Sequence, residues 1–246
     1  MTIHVLTGDA LLSNFPEGKL TGAIAINREC LIEGPVAFTN LEDFWQERES
    51  YLLDAYPESD ISYPDDVVFE FEKLKELQQG DEVNLWFEND LFCQINLWFT
   101  ISLLPENGVA VYRIVPVIDN PEELWNGFGP MSSNELMDCF NKRILLTPED
   151  LQLGKKLWQA YSTANLQELE KLAVIKSKAF PYLKEVCDAH IQRTSTQPGR
   201  PEKALKGIID NGTTSFESAF EQFSEQEGIY GFGDMQVKRI FDQLIR

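Results

Sequence analysis

The chain has 246 residues, of which 43% are hydrophobic, and a formal net charge of −19. This length and apolar content suit one large domain or two modest domains with a packed core. The acidic charge disfavours nucleic-acid binding, because phosphate groups repel it. No window approaches the ~18 consecutive apolar residues of a membrane helix, so we expect no membrane span.

The N-terminal sequence MTIHVLTGDA has no basic region followed by a long apolar stretch, so no secretory signal is predicted. The four cysteines form no C-x-x-C pair and lie in apolar contexts: Cys30, Cys93, Cys139 and Cys187. Isolated thiols of this kind are typical of a reducing compartment. We therefore predict a cytoplasmic protein.

The first half of the chain alternates short apolar runs with segments of helical periodicity. The predicted strands are 3–7, 22–26, 83–87 and 109–117. The predicted helices are 10–15, 40–56, 64–77 and 90–104, and Asn107-Gly108 is predicted to form a turn. Parallel strands need crossover connections of this type. The pattern predicts a Rossmann-like α/β domain over residues 1–125, with an open parallel sheet of about four strands in the order 2-1-3-4.

The strand signal disappears after residue 131 and helical runs take its place. They span 133–142, 148–161, 165–175, 181–193, 201–210, 215–226 and 234–245, with Thr147, Ser215 and Asp234 as predicted N-caps. An all-helical domain is therefore predicted over residues 126–246. Its last part, 181–246, either resembles a helix-turn-helix unit with basic residues at 200–206 and 238–239, or packs as a plain helical bundle. The acidity of the whole chain favours the bundle.

Polar residues collect at the ends of three predicted strands, where open parallel sheets bind ligands. The candidate catalytic residues are Asp9, Glu88 and Asp90, and the candidate ligand-binding residues are Gly8, Arg28, Glu33 and Gln94. The three carboxylates together form a candidate Mg²⁺ site. Two close carboxylates can instead separate their pKa values for acid–base chemistry, and the residues alone do not decide between these roles.

Each of these residues also has a structural interpretation. Asp9, Asn89 or Asp90 can cap a following helix. Arg28 and Glu33 can brace their loop with a salt bridge, or Arg28 can pair with another carboxylate. Glu88 has no such explanation, because it follows a buried strand and has no partner nearby in the sequence.

The small number of histidines limits the metal sites and catalytic triads that the chain can form. Only His4 and His190 occur, so a zinc site with several histidine ligands is excluded and a Ser-His-acid triad is disfavoured. His4 lies inside the first predicted strand and is interpreted as a hydrogen-bonded structural residue. No G-x-G-x-x-G or G-x-x-x-x-G-K-[ST] motif is present, so a phosphate loop is not predicted.

The stretches HVLTGDALL, RECLIEGP, FWQER and LWFENDLFCQ, in this order, resemble the bacterial family called domain of unknown function 1835. AFPYL and FGDMQ are similar to that family's tail, so the resemblance covers most of the chain. It implies an α/β N-terminal domain followed by a helical region, and supplies no reaction. Asn89 stands where many relatives carry His, and Cys93 where Asp is common. If the family's site needs those residues, this chain is an inactive member.

These patterns predict a protein that binds a small polar ligand, such as a nucleotide or another phosphate-bearing molecule, at the ends of strands one to three. Enzymatic turnover and the oligomeric state are left open. The alternative is a regulatory or scaffold protein whose helical C-terminal domain binds DNA or a protein partner.

Overall fold

A five-stranded sheet lies at the centre of the protein, in the order β2-β1-β3-β4-β5. The computed structural model describes residues 1–58, 60–106, 108–118 and 120–245. The strands are β1 Thr2–Thr7, β2 Ala23–Asn27, β3 Glu82–Trp86, β4 Ala110–Ile114 and β5 Ile144–Leu145. The first four are parallel and β5 is antiparallel to β4. The predicted parallel sheet and the order of its four strands are confirmed.

Side chains alternate across the central strands because successive residues of a strand point to opposite faces. Val5 and Leu85 belong to the larger core, and Leu6 and Trp86 to a smaller core. Both faces are therefore covered, as is usual for parallel sheets. On the second face, Trp86 Nε1 donates a hydrogen bond to His4 Nδ1 at 3.1 Å, which confirms the structural interpretation of His4.

The predicted helices are all present. The α-helices are α1 Asp9–Asn14, α2 Leu41–Ala55, α3 Phe69–Glu72, α4 Leu91–Leu103, α5 Ser133–Asn141, α6 Pro148–Ser162, α7 Leu166–Ala173, α8 Leu183–Thr194, α9 Arg200–Asp210, α10 Phe216–Glu227 and α11 Asp234–Leu244. A π-helical segment, Tyr63–Val68, precedes α3, and short 3₁₀ segments lie at Lys73–Glu76, Pro121–Glu123 and Gly228–Tyr230. Asn107, half of a predicted turn, lies outside the described residues. No helix in the described part of the chain is long and apolar enough to cross a membrane.

The two halves of the chain share one core. Helix α4 is buried between the sheet and α6, and Leu97 of α4 and Leu157 of α6 are both fully buried. The strand β5 also comes from the second half, so the prediction that residues 126–246 are entirely helical missed it. β5 has only two residues, and so short a strand shows too little hydrophobic periodicity to be recognised from the sequence. The domain boundary near residue 125 stays a prediction.

Helices α9, α10 and α11 pack around a small core of their own that includes Leu205, Phe223 and Val237. Ser215 caps α10 and Thr147 caps α6, as predicted. Asp234 was predicted to cap α11, and this is wrong. Gly233 occupies the N-cap position, because its backbone N–H is taken by the Gln236 side chain at 2.7 Å and Asp234 already lies in the helix.

Candidate functional site

Three polar residues, Glu88-Asn89-Asp90, form the turn between the end of β3 and the start of α4. Asp90 is the N-cap of α4, and its Oδ1 accepts a hydrogen bond from Cys93 N at 2.9 Å. A carboxylate is favourable here because it satisfies a free backbone N–H and lies at the positive end of the helix dipole. The capping interpretation of Asp90 is confirmed, and that of Asn89 is not.

Glu88 has partners that are remote in the sequence. Its Oε1 accepts from Phe128 N at 2.6 Å, and its Oε2 accepts from Cys93 Sγ at 3.6 Å. Thr7 Oγ1, at the end of β1, lies 3.4 Å from the same sulfur. The strand order therefore brings β1 and β3 together at this point, as predicted. The expectation that Glu88 lacks a structural role is corrected, since it accepts the Phe128 N–H.

Glu88, Asp90 and Cys93 converge on one cavity of about 330 Å³. One potential ligand atom from each of these residues lies within 4.8 Å of the others. Thr7 lines the same cavity from the sheet side. The opposite wall comes from the second half of the chain and includes Trp125, Asn126, Phe223, Ser224, Glu227, Gly228, Gly231 and Phe232. A cavity therefore lies at the ends of β1 and β3, two of the three strands at whose ends a ligand was predicted to bind. The sequence did not indicate the residues of its opposite wall.

Asp90 is buried and Glu88 is half-buried beside the cavity, and this changes their acidity. Burial, followed by the charge of Asp90, raises the pKa of Glu88 from 4.5 to about 7. Burial likewise raises the pKa of Asp90. Burial, Asp90 and Glu88 raise the pKa of the Cys93 thiol well above 9.0, so this group is an uncharged thiol at neutral pH. The raised pKa of Glu88 brings proton exchange at this carboxyl close to neutral pH.

A buried arginine lies beneath this turn. Arg113 of β4 is fully buried, and its Nη2 donates to Asn89 Oδ1 at 3.2 Å and to Glu88 O at 3.4 Å. Its Nη1 donates to Ala179 O. No carboxylate among the described residues forms an ion pair with it. Burial lowers the pKa of Arg113, but a guanidinium keeps its proton at neutral pH, so it supplies a positive charge under the acidic cavity.

Asn89 points towards Arg113 and does not line the cavity, whereas Cys93 does. The two departures from the resembled family are therefore not equivalent. A His at position 89 would occupy the place beside the buried guanidinium. An Asp at position 93 would face Glu88 directly.

Two glycines lie directly against the carboxylates. Gly127 and Gly231 have φ values of 64° and 62°, which favour glycine. A Cβ on Gly127 would lie 2.1 Å from the carboxyl carbon of Glu88, and one on Gly231 would lie 2.0 Å from Asp90 Oδ1. Neither position therefore tolerates a side chain without movement of the acid. Sequence reasoning missed both glycines, because nothing local links them to the turn after β3.

Asp9 and Arg28 form a separate pair. Arg28 Nε and Nη2 donate to the two carboxylate oxygens of Asp9, each at 2.8 Å. This confirms that Arg28 pairs with a carboxylate, and the predicted Arg28–Glu33 bridge is wrong. Gly8, with φ 82°, is the N-cap of α1, so the capping interpretation of Asp9 is also wrong. Asp9 was predicted to form a Mg²⁺ site with Glu88 and Asp90. Among the described residues, the third potential metal ligand beside these two carboxylates is Cys93 and not Asp9.

Glu33 and Gln94 also serve other contacts. Glu33 accepts from Arg239 Nη1 at 3.1 Å and from the Tyr56 hydroxyl, and so ties α11 to the loop after β2. Gln94 is buried, and its Nε2 donates to Glu88 O at 2.6 Å. Gln94 therefore shapes the backbone of the turn and is not among the side chains lining the cavity.

The motifs RECLIEGP and FWQER meet in a buried ion pair that sequence reasoning missed. Arg48 Nη2 lies 2.8 Å from Glu29 Oε2, and both side chains are fully buried. Glu29 also accepts from the Tyr63 hydroxyl and from Cys30 N. Gly34, with φ 75°, lets the loop pass against Arg48. These motifs therefore have a structural explanation that requires no ligand.

The basic residues predicted as a nucleic-acid surface are all engaged. Their partners are Glu227 for Arg200, Thr196 for Lys203, Asp210 for Lys206, Asp242 for Lys238 and Glu33 for Arg239. Residues 200–246 contain more acidic than basic side chains. The arrangement gives the nucleic-acid alternative no support, because phosphate binding depends on an excess of positive charge.

Comparison of the chain with protein-family models, curated proteins and solved structures gives no match. The resemblance to domain of unknown function 1835 stays a prediction.

Proposed function

We propose that the protein binds a small polar ligand in the cavity formed by Glu88, Asp90 and Cys93, and that Glu88 exchanges a proton with it. The observation that supports this most directly is the pairing of a half-buried and a buried carboxylate, Glu88 and Asp90, beside a cavity, with no cation bonded to either among the described residues. Clusters of strongly shifted acids in a cavity are characteristic of functional sites. Enzymatic turnover follows if the bound group changes its acidity during a reaction, as in general acid–base catalysis.

The lining of the cavity limits the ligand. Three carboxylates line it, those of Glu88, Asp90 and Glu227, and no Lys or Arg does so among the described residues. A bare phosphate group would be repelled. A nucleotide or sugar phosphate would therefore bind only together with a divalent cation, whereas an uncharged or amine-bearing ligand would bind directly.

The test is a thermal-shift and NMR screen of the full chain with nucleotides and sugar phosphates, each with and without Mg²⁺, and with primary amines. We expect Glu88→Gln to abolish or strongly weaken any binding found. Asp9→Asn is the matched control, because it removes a carboxylate that the structure places outside the cavity. Equal loss in both variants, or no loss in Glu88→Gln, would show that the ligand binds elsewhere.

A metal ion is the second candidate, because Glu88, Asp90 and Cys93 offer two oxygen atoms and one sulfur atom at close range. A sulfur ligand favours a transition metal over Mg²⁺. Binding would release the thiol proton, since metals coordinate the thiolate. We expect Co²⁺ titration to produce a thiolate-to-cobalt charge-transfer band that Cys93→Ser removes and Cys187→Ser, a change at another buried thiol, retains. Absence of the band at saturating Co²⁺ would overturn metal binding, and proton exchange by Glu88 would then be the one proposed role of the site.

A further inference from the structure

A second cavity lies next to the one that contains Glu88. It has a volume of about 280 Å³, and Phe92 lines both cavities. Phe92, in the first turn of α4, therefore borders both spaces. Together they are within the size range of sites for small organic molecules, about 300–1,000 Å³.

The second cavity is mainly apolar. Much of its aliphatic and aromatic lining comes from the end of α2, the residue that follows it and the π-helical segment: Leu52, Leu53, Tyr56, Tyr63 and Val67. Leu53 and Met235 at its rim are 56% and 49% exposed, respectively. Large apolar side chains exposed around a cavity are typical of a surface that an apolar group covers.

One continuous segment of chain borders both cavities. Gly231 and Phe232 line the cavity with Glu88, and Asp234, Met235 and Gln236 line the apolar one. A ligand passing from one cavity to the other would thus contact the same short segment along its whole length. This continuity favours one two-part ligand over two separate ones.

The charges around the apolar cavity indicate which polar group such a ligand carries. Arg28 is the one basic residue lining it within the described chain. Its Nε and Nη2 already donate to Asp9, and its Nη1 donates to Asp66 O. Two acidic residues, Glu49 and Asp234, also line this cavity. An anionic ligand would find no unpaired cation in the described lining of either cavity, whereas an amine would find acceptors.

We propose that one ligand fills both cavities, with an apolar, ring-sized group beside Leu53 and Met235 and an amino group at Glu88 and Asp90. This inference rests on the proposed function of the Glu88 cavity. It deepens that proposal by naming the ligand class as an aromatic or branched aliphatic amine.

Three probes separate the parts of the inference: tryptamine, which carries both groups, indole-3-propionate, which has the same ring system with a carboxylate, and ethylamine, which lacks the ring. Binding is measured by ligand-observed NMR and calorimetry on the full chain. We expect tryptamine to bind at least about tenfold more tightly than ethylamine, because its indole ring moves from water into the apolar cavity. We expect no binding of indole-3-propionate.

Two variants locate each part of the probe. Leu53→Trp fills the apolar cavity from its rim, and Leu145→Trp is the matched control, since Leu145 is an exposed residue of β5 that lines neither cavity. We expect Leu53→Trp to weaken tryptamine at least about tenfold and to leave ethylamine unchanged. Glu88→Gln should weaken both amines.

The outcomes distinguish this inference from the proposed function. Loss of tryptamine binding in Glu88→Gln but not in Leu53→Trp overturns the two-part ligand and leaves the Glu88 site standing. Loss in Leu53→Trp alone shows an apolar site unconnected with Glu88, and also overturns the inference. Binding of indole-3-propionate as tight as that of tryptamine, or no binding of tryptamine at all, overturns the assignment of an amine.

Discussion

Glu29 and Glu88 each follow a parallel strand of the same sheet, yet the two carboxylates have opposite surroundings. Glu29 is bonded to the Arg48 guanidinium at 2.8 Å, to a tyrosine hydroxyl and to a backbone N–H. Glu88 is bonded to Phe128 N and the Cys93 thiol, and faces Asp90 across a cavity. The first charge is bonded to a cation within the fold, whereas no cation among the described residues is bonded to the second.

This difference separates a structural acid from a candidate functional one. A buried carboxylate with a bonded cation and full hydrogen bonding has no free capacity for a ligand. A carboxylate held beside another acid is favoured to take up a proton or a cation. Proximity to a strand end is therefore insufficient to identify a site, and the presence or absence of a compensating partner is the better criterion.

The largest effect should come from breaking the compensated pair. Arg48→Met leaves Glu29 buried without a cation, so we expect a loss of about 3–5 kcal/mol in the free energy of unfolding. Urea denaturation measures it. The double variant Arg48→Met/Glu29→Leu removes both charges and should recover much of the loss. A single variant within about 1 kcal/mol of the wild type would contradict the view that this pair is buried and coupled.

The next effect should come from the glycine against Asp90. Gly231→Ala requires a left-handed alanine and a collision with the acid, so we expect a loss of about 2–4 kcal/mol and altered ligand binding. Gly18→Ala is the control, because Gly18 also has a positive φ, 83°, but no atom lies within 4 Å of the place that a Cβ would take there. For Gly18→Ala we expect the free energy of unfolding to fall by about 1–2 kcal/mol, the cost of a left-handed alanine backbone alone. Equal losses in the two variants would show that Asp90 moves aside freely.

A smaller effect should follow removal of the uncompensated charge. Because folding raises the pKa of Glu88 from 4.5 to about 7, the folded state holds the proton more tightly. The resulting stabilisation is present below pH 4.5 and is lost as the pH rises through about 7. Glu88→Gln removes this loss, so we expect it to unfold like the wild type at acid pH and to be more stable by about 2 kcal/mol at pH 8.

Denaturation at a series of pH values checks this, with Glu135→Gln as the control at an exposed capping residue whose pKa is lowered. We expect the opposite trend for Glu135→Gln: its free energy of unfolding should fall further below that of the wild type as the pH rises. A Glu88→Gln variant whose stability follows the wild type at every pH would mean that Glu88 is ionised in the folded protein without penalty.

The smallest effect should come from an exposed ion pair. Lys238 and Asp242 are neighbours one turn apart on α11, with side chains 47% and 39% exposed. Lys238→Ala should cost about 0.5 kcal/mol or less, because water screens the pair. The loss should shrink further in high salt. A loss comparable to that of Arg48→Met would contradict the view that this pair is exposed and weakly coupled.

Much of the architecture could be predicted from the residues. Alternating apolar runs and amphipathic segments predicted the four parallel strands and every helix, and Thr147 and Ser215 were recognised as caps from local pattern alone. The strand β5 was missed because two residues carry almost no periodicity. Asp234 was misassigned because Gly233 provides no side chain that marks it as a cap.

The candidate site was predicted only in part. The order of the strands correctly placed Glu88 at a cavity, since ligand sites follow from sheet topology. Asp9 and Glu33 were assigned to the same site, but Arg28 and Arg239 hold them elsewhere. Such pairings depend on which long side chain reaches which acid, and spacing along the chain does not encode that.

By itself, the sequence determined the local elements and the edge of the sheet at which polar groups collect, because hydrophobic periodicity and turn chemistry act over a few residues. Only the tertiary structure decided which carboxylates are compensated. Arg48 neutralises Glu29 from the next helix, whereas Gly127 and Gly231, far along the chain, lie against Glu88 and Asp90. Burial and charge compensation arise from neighbours in space, so the chemistry of this cavity belongs to the folded chain and not to the motif around Glu88.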